Sequence, residues 1–415
     1  MRSLLSPLAL LPLVAGSAAA QTSLLVVDDD GGPGVDFTSI QDAVDAAGGG
    51  DVIVVRDGVY GAFTIAATSL TVVADAGAAP QVQARIEVRD LLAHQAVFLR
   101  GLEVPFNVAP TGGPHEALTV TDCAGAVRVE DCLLHGGNVV GLLPFGEGAR
   151  VSASADVSFH RTTLRGRVNE GLWAVDSGLA LDDCVVEGHG NSFPTGNPGA
   201  FVLGGTLLVQ GGTLRGADGS DAGLVWNPFN ETFTCSSAIA GGPGLRLGDS
   251  PAPPEGGPAG AAPVVWVRGA TLTGGAGGAG QLDCPTADDG VGAQVDAGSL
   301  LALPGASRDF HVREAPVVAG ATYHYDVLGL SGDLAFVLFS GASTRLELPP
   351  FGLFHLDLPW AVLTAGVVPP SGDLELPFTG ADLGLAAFAI PHQAVVGADG
   401  VYVFTAPSVL VLLGP

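Results

Sequence analysis

The sequence predicts an all-β protein in which a parallel β-helix with a short N-terminal capping helix precedes a smaller antiparallel β-sandwich. Three observations predict this fold: a short phrase that recurs five times, one amphipathic helix before it, and a change of rhythm after Gly305. We expect a signal peptide over residues 1–20, the β-helix over 21–305 and the sandwich over 306–415. A chain of 415 residues exceeds what one hydrophobic core usually organises, which fits a solenoid or two domains.

The recurring phrase has two alternating apolar residues, a small or acidic turn, another apolar residue and a glycine. It starts at Val127, Val157, Leu179, Leu207 and Val265 and ends at Gly136, Gly166, Gly188, Gly216 and Gly274. Its second apolar residues are Val129, Phe159, Leu181, Val209 and Val267, spaced 30, 22, 28 and 58 residues apart. A minimum of about 22 residues with variable excess is typical of a parallel β-helix, in which each period is one coil and insertions bulge from its turns.

The first twenty residues are predicted to be an export signal. Arg2 supplies a basic start, Leu4 to Val14 a short apolar run, and Ala18 to Ala20 a small-residue cleavage site. The run is too short to span a bilayer, and no later stretch offers about 20 uninterrupted apolar residues. We therefore expect a soluble chain, mature from about Gln21, that is secreted or held at the cell surface.

The charge of the chain restricts its partners. The formal net charge is −26, and all sixteen basic residues are arginine. The lack of lysine excludes lysine Schiff-base and P-loop chemistry, and the negative field disfavours nucleic acid and anionic membranes as partners. Cations and neutral molecules are favoured instead.

The five cysteines form no CxxC pair, so neither a zinc nor a redox motif is indicated. Cys132 and Cys184 hold the same position two coils apart, roughly 10 Å at about 4.8 Å per strand, which is too far for a disulfide. They are predicted to be small core residues. Cys235 and Cys284 lie in irregular inserts and could form a bridge in an oxidising compartment.

A single short helix is predicted before the first coil. Four apolar residues share one of its faces: Phe37, Ile40, Val44 and Ala47. Thr38 or Ser39 can cap its first turn, Gly48 begins the run that ends it, and residues 51–60 follow as the first strand and turn. Such a helix would cover the open end of the first coil.

These residues carry a family resemblance. The segment 36–47, together with Gly50–Val55 and Asp57–Tyr60, resembles the N-terminal cap and first coil of the pectin-lyase-like superfamily. That superfamily consists of right-handed parallel β-helices and includes pectinesterases, pectate lyases and polygalacturonases; the chain looks most like uncharacterised secreted members from environmental bacteria. The resemblance covers roughly residues 24 to 304 and implies a right-handed helix.

The enzyme motifs of that superfamily are missing. We find no pectinesterase Gln and Asp signatures, no Arg-Pro-Trp-like segment, and no Asn-Thr-Asp or Arg-Ile-Lys segment of polygalacturonases. Gly188-His189-Gly190 follows Asp182-Asp183 by only six residues, within one turn of a coil. Asp182, Asp183 and His189 are therefore interpreted as turn residues with respect to that motif.

Stacking of the coils predicts a candidate catalytic column. The residues that follow the inward anchors are predicted to point outward together: Glu130, His160, Asp182, Gln210 and Arg268. A histidine between two carboxylates would favour its protonated form and could serve as an acid or base, with Arg128 on the same face. The candidate catalytic residues are thus Arg128, Glu130, His160 and Asp182. The alternative is a solvated polar ladder.

A second column alternates in charge: His135, Arg165, Glu187, Arg215 and Thr273. Cross-strand ion pairing is its expected role, although the resemblance also offers an arginine base, which in pectate-lyase-like β-elimination works beside calcium held by carboxylates.

Calcium is a possible cofactor, and Asp28, Asp29 and Asp30 are its candidate ligands. They precede two glycines, and Asp288-Asp289-Gly290 repeats the pattern of an oxygen-rich turn. Neither segment has EF-hand spacing.

The largest insertion is predicted at 218–263, where a solenoid commonly carries its binding face. Trp226, Phe229 and Phe233 in this insertion could stack on sugar rings or bury the loop.

Beyond Gly305 the strands lengthen and turn signals recur, which fits an antiparallel sandwich of six to eight strands. Residues 346–415 resemble a C-terminal β-sandwich of secreted proteins from the same bacterial groups. Attachment, sorting or capping of the solenoid end are all open as its role.

These sequence features support two candidate functions. The first is a non-catalytic β-helix that binds or displays at the cell surface, with polysaccharide or cell-envelope glycan as partner. The second is a polysaccharide lyase or glycoside hydrolase acting on acidic glycans, by analogy of fold. The missing motifs favour the first.

Overall fold

The computed structural model describes most of the chain from Thr22 to Gly414. The described ranges are 22–106, 108–109, 116–139, 146–167, 169–192, 195–222, 224–227, 232–235, 237–249, 261–279, 285–348, 350–382, 384–398 and 401–414. The predicted signal peptide, residues 1–20, lies outside them. None of the helices in these ranges is long and apolar enough to cross a membrane.

Three parallel sheets form the N-terminal two thirds of the described chain. Each of eight coils contributes one strand to each sheet, and sheet A has one additional strand at each end. Sheet A contains Leu24–Val27, Val52–Val55, Leu70–Ala74, Ala96–Arg100, Ala126–Glu130, Asp156–His160, Gly178–Asp182, Thr206–Gln210, Val264–Arg268 and Ser299–Ala302. Sheet B contains Val59–Tyr60, Gln81–Val82, Glu103–Val104, Leu133–His135, Thr163–Arg165, Val185–Glu187, Thr213–Arg215 and Thr271–Thr273. Sheet C contains Phe63–Ala66, Ile86–Arg89, Leu118–Thr121, Ala149–Ser152, Leu172–Val175, Ala200–Leu203, Leu245–Gly248 and Ala293–Val295.

This architecture confirms the predicted right-handed parallel β-helix. Val129, Phe159 and Leu181 are register partners in sheet A, and all three are buried in one continuous apolar core. Cys132 and Cys184 are buried in that core with free thiols, as predicted. The side chain of Cys235 and the whole of Cys284 lie outside the described residues, so their bridge stays a prediction.

The capping helix spans Ile40–Ala46, and the Ser39 side chain accepts a hydrogen bond from the Asp42 backbone N–H at its start. Ile40 and Val44 are buried against the first coil, as the amphipathic pattern predicts. The prediction that the first strand follows the helix is wrong. An earlier strand, Leu24–Val27, precedes the helix and pairs in parallel with Val52–Val55. The sequence pattern does not reveal this strand, because it is short and closely follows the predicted signal peptide.

The acidic or small turn in the recurring phrase is the corner between sheets A and B. Asp131, Arg161 and Asp183 hold this corner at φ of 53°, 45° and 49°, and Gly211 and Gly269 continue the column at 64° and 62°. Asp and Gly adopt the left-handed conformation more readily than most residues. The phrase therefore marks the chain reversal between two sheets of one coil.

The glycine that closes the phrase is required by a close approach at the corner between sheets B and C. A Cβ added at Gly166 would lie 2.1 Å from the Asn169 carbonyl oxygen, and one at Gly188 would lie 2.2 Å from that of Pro198. No side chain fits at such distances, so the chain turns into sheet C only where this position is glycine.

The C-terminal region, residues 309–414, forms the predicted sandwich. A three-stranded sheet contains Asp309–Val312, Thr322–Leu328 and Asp373–Thr379, and a five-stranded sheet contains Val317–Val318, Val401–Leu413, Ala387–Ala398, Leu334–Ser340 and Trp360–Val367. A hairpin of Ser343–Leu348 and Gly352–Leu356 pairs with neither sheet. The described residues thus hold ten strands here, more than the six to eight expected, because turn signals reveal neither the two-residue strand nor the separate hairpin. The domain boundary near 305 stays a prediction.

The C-terminal region lies along the outer face of sheet A. Val54 and Val73 of sheet A pack against Val409 and Val411 near the first coils, and Leu208 packs against Leu353 farther along. The region therefore covers a side of the β-helix, which is a different position from the end cap considered for it.

The segment 218–263 was expected to be one insertion, but a strand of sheet C divides it into two. Leu245–Gly248 belongs to sheet C and divides it, while Leu224–Asn227 and Thr232–Cys235 form an antiparallel pair before that strand. The side chains of Trp226 and Phe233, and all of Phe229, lie outside the described residues. Two further short pairs are Val108–Ala109 with Asn138–Val139 and Asn191–Ser192 with Thr195–Gly196.

Candidate functional site

The column predicted on sheet A exists, but it is not exposed. Glu130, His160 and Asp182 are register partners on successive strands, followed by Gln210 and Arg268. His160 is 2% exposed and Arg268 1%, because the C-terminal region covers this face. The column faces away from the β-helix core as predicted, but the expectation that it is exposed to solvent is wrong. Alternation along a strand distinguishes the core side from the outer side, but it does not reveal what covers the outer side.

His160 joins the two parts of the protein. Its Nε2 lies 2.6 Å from Asp309 Oδ1, and its Nδ1 lies 3.5 Å from Glu130 Oε1. Glu130 also accepts a hydrogen bond of 2.7 Å from the Ser408 hydroxyl. The Asp182 carboxylate accepts one of 3.0 Å from Gln210 Nε2. The histidine does stand between carboxylates, but its closest partner is Asp309, which is outside the β-helix.

Burial and charge set the protonation states in this column. Burial opposes the charged ring of His160, yet the Asp309 carboxylate outweighs it and raises the pKa of His160 to about 10. Burial also opposes ionisation of Glu130, but Arg100 and His160 hold the pKa of that carboxyl well below its usual range. For Asp182 burial dominates and raises the pKa to about 8.

Arg128, the fourth predicted catalytic residue, lines the same small cavity as Glu130 and His160 but forms its ion pair with another residue. Its guanidinium is buried and forms a two-pronged ion pair with Asp156, with NH1 2.9 Å from Oδ1. Its NH2 donates to the Ser343 hydroxyl at 2.8 Å. Arg128 therefore anchors the C-terminal hairpin. The catalytic roles of Arg128, Glu130, His160 and Asp182 stay predictions, and in this arrangement none of the four reaches solvent.

The candidate calcium ligands do not converge. Asp28 pairs with Arg56 at 3.3 Å, Asp29 Oδ2 accepts from the Val59 backbone N–H at 2.8 Å, and Asp30 is exposed. Within the described part of the chain no group of three or more His, Cys, Asp or Glu residues is placed to hold a metal ion. Calcium at Asp28, Asp29 and Asp30 stays a prediction without a ligand set.

The second predicted column is formed on sheet B. His135 pairs with Arg165, Arg165 with Glu187, and Glu187 with Arg215. Arg165 Nε lies 2.5 Å from Glu187 Oε2, a partly exposed cross-strand ion pair. The register predicted from the phrase is thus confirmed.

The outer face of sheet C carries a cluster that the sequence analysis missed. Trp173 and Phe201 are register partners on adjacent strands, and both are half-buried. The Arg150 guanidinium lies 4.1 Å from the Trp173 ring centroid, and that of Arg246 lies 5.1 Å from the Phe201 centroid. We call these four residues the aromatic platform.

Three glutamates stack beside the platform, two residues before the sheet C strands of successive coils: Glu116, Glu147 and Glu170. Arg150 NH1 lies 3.3 Å from Glu116 Oε1, and NH2 lies 3.7 Å from Glu147 Oε1. Burial raises the pKa of Glu147 to about 7. Arg150 lowers this pKa, and the neighbouring carboxylates of Glu116 and Glu170 raise it. Such a value suits a general acid, but Glu147 is 1% exposed, so the stack holds Arg150 in place rather than meeting a substrate.

A sequence signal for this cluster was present. The segments starting at Glu116, Glu147 and Glu170 read Glu-Ala-Leu-Thr-Val, Glu-Gly-Ala-Arg-Val and Glu-Gly-Leu-Trp-Ala, and Pro198-Gly-Ala-Phe-Val continues the series. In each, the fourth residue faces outward on sheet C. This second phrase marks the strands of sheet C as the first phrase marks those of sheets A and B.

An open groove of about 520 Å³ lies beside the platform, at the corner between sheets C and A. Its walls are the turn residues of three coils and two residues of the C-terminal hairpin: Ala153, Ser154, Ala155, Asp176, Ser177, Gly178, Gly205, Thr206, Arg345 and Glu347. Arg345 NH2 donates to the Thr206 hydroxyl at 3.1 Å and lies 3.2 Å from Glu347 Oε1. The cavity beneath the hairpin at Leu208 and the one beside His160 are about 10 Å³ each, room for a single water molecule.

Comparison with known proteins finds distant similarity to viral proteins. No family model matches the sequence, and no curated protein does. Among solved structures, the enzymatically active domain of tailspike protein 2 from bacteriophage CBA120 is 11% identical, with 95% of this chain and 71% of that chain covered at a TM-score of 0.26. ORF18 of Geobacillus virus E2 is 9% identical, with 89% and 72% covered at a TM-score of 0.24. The fold assignment rests on the three parallel sheets of the chain itself.

Proposed function

We propose that this protein binds carbohydrate along the outer face of sheet C and does not cleave it. The aromatic platform carries the proposal, because Trp173 and Phe201 are half-buried aromatic residues on neighbouring strands, each with an arginine over one face of its ring. An aromatic ring offers a large, rigid apolar face, and the C–H side of a sugar ring packs on such a face. Arg150 is held by Glu116 and Glu147. Arg246, whose Nε lies 2.8 Å from Asp296, carries further N–H groups beside the Phe201 ring that can donate to sugar hydroxyls.

The geometry of the helix favours a polymeric ligand. Equivalent positions on neighbouring strands recur about every 4.8 Å, so the face offers evenly spaced contacts to a chain of repeating units. Nucleic acid is disfavoured by the net charge of −26. A glycan at the cell surface or in a polysaccharide layer is the partner that these features support.

Burial of the acidic groups supports binding over the lyase or hydrolase alternative. A general acid or base must come within hydrogen-bond reach of the bond that breaks. His160 and Asp182 lie beneath the C-terminal region, and Glu147 is enclosed beside Arg150.

Binding of a panel of neutral and acidic glycans to the full chain tests the proposal. Trp173→Ala should weaken binding roughly tenfold, about 1.4 kcal/mol, since it removes the larger ring. Trp360→Ala is the matched control: Trp360 is an exposed tryptophan of the C-terminal region, and its loss should leave affinity unchanged. Equal loss in both variants, or no glycan binding at all, contradicts the proposal. Release of reducing ends or unsaturated products, with or without calcium, would favour the enzymatic alternative.

A further inference from the structure

We propose that the groove at the corner between sheets C and A is the second half of the same carbohydrate site and takes an uncharged sugar unit. This inference rests on the proposed function, since it extends the ligand of the aromatic platform. The groove is open to solvent and has a volume of about 520 Å³. Sites for small ligands commonly measure about 300–1,000 Å³ and lie where two parts of a protein meet.

The groove and the platform belong to the same coils. Asp176 and Ser177 follow the strand that carries Trp173, and Gly205 and Thr206 follow the strand that carries Phe201. Three residues of extended strand measure about 10 Å. A glycan that lies on the platform and runs along the strand direction therefore reaches the groove within a few sugar units.

The groove is lined by acceptors for sugar hydroxyls. Asp176 is exposed and Glu347 is partly exposed, and carboxylates accept hydrogen bonds from hydroxyl groups. Thr206 donates to Glu347 Oε1 at 2.8 Å, which fixes one carboxylate oxygen of Glu347 against the wall. Gly178 and Gly205 also line the groove, and neighbouring backbone lies close to both: a Cβ would lie 2.3 Å from the Ala155 carbonyl oxygen at Gly178 and 2.2 Å from that of Ser177 at Gly205.

Among the described residues that line the groove, Arg345 is the one cation, and it is already paired within the protein. Arg345 donates to the Leu179 carbonyl oxygen at 3.2 Å and pairs with Glu347, and its NH1 lies 3.9 Å from Asp156. Its side chain is 9% exposed. An acidic sugar would find no unpaired cation among the described residues that line the groove, and the net charge of −26 repels it further. The groove chemistry thus selects an uncharged unit.

Ala155→Phe tests the inference because Ala155 is exposed in the groove and a benzyl group there occupies the space for a sugar ring. The full chain is titrated in a calorimeter with neutral oligosaccharides of increasing length, taken from a glycan that the wild type binds. Ala155→Phe should weaken the longer oligomers roughly tenfold and leave the shortest unchanged. Trp173→Ala should weaken all of them. Ala76→Phe adds the same group at an exposed turn elsewhere and should change the affinity for neither the longer nor the shortest oligomers.

Glu347→Gln provides a second variant that keeps an acceptor for Thr206, and thermal unfolding checks that each variant is folded. It should also weaken only the longer oligomers. If Trp173→Ala has no effect, the proposed function fails. If Trp173→Ala weakens binding while Ala155→Phe and Glu347→Gln change no length of ligand, the groove inference alone fails. Tighter binding of uronate oligomers than of neutral ones overturns the uncharged ligand.

Discussion

His160 Nε2 lies 2.6 Å from Asp309 Oδ1, and both side chains are buried between sheet A and the C-terminal region. This ion pair connects residues 149 positions apart and belongs to a polar cluster framed by apolar contacts on either side. A buried pair of this kind costs desolvation energy and tolerates the loss of either partner poorly.

Asp309→Asn should destabilise the protein by roughly 3–5 kcal/mol, because it leaves a protonated, buried His160 without its closest counter-charge. Urea unfolding followed by tryptophan fluorescence measures the change. Glu375→Gln is the control, since Glu375 pairs with Arg313 at the surface and its loss should change stability little. Similar stability of Asp309→Asn and wild type would mean that the C-terminal region is not held on sheet A by this pair.

Stability should depend on pH through the same cluster. The pKa of His160 is raised to about 10, so its contribution is complete below about pH 6.5 and is lost as the pH rises towards 10. The pKa values of Glu130 and Asp309 are lowered, so their contributions are lost as the pH falls below about 4. Urea midpoints at pH 8 and 10 should differ in the wild type and differ much less in His160→Gln. An equal decline in both would assign the alkaline loss to other groups.

Asp182→Asn should stabilise the protein at neutral and mildly alkaline pH. Burial raises the pKa of Asp182 to about 8, so ionisation of this group lowers stability progressively from about pH 4 to pH 8. Asparagine keeps an acceptor for Gln210 Nε2 and carries no charge. The gain in urea midpoint should be larger at pH 8 than at pH 5. A loss at both values would show that Asp182 is needed as a carboxylate beside His160.

Limited proteolysis should nick the exposed connection near Gly305 without separating the two parts. The linker is expected to be cut first, but Arg268 donates to the Phe351 carbonyl oxygen at 3.3 Å, and Arg100 donates to that of Val312 at 2.6 Å. The two fragments should therefore co-elute in gel filtration and separate only in denaturant. Fragments that elute apart without denaturant would contradict the buried interface.

The local pattern was enough to predict the coil. Leu181 faces the core and Asp183 turns the corner because alternation and turn chemistry are properties of neighbouring residues, repeated at each period. The same logic placed Glu130, His160 and Asp182 in one column. The same spacing also predicts the aromatic platform, since Trp173 and Phe201 occupy the same position in the phrases that begin at Glu170 and Pro198.

The sequence by itself determined the period, the inward residues and the order of the columns, because each depends on spacing along the chain. Only the tertiary structure decided which outer face remains open. The C-terminal region covers sheet A and buries His160, while Trp173 on sheet C stays half-exposed. Alternation assigns a side chain to the core or to the outside of a coil, but exposure of the outside depends on contacts such as His160 with Asp309, which lie far apart in sequence and leave no periodic signal.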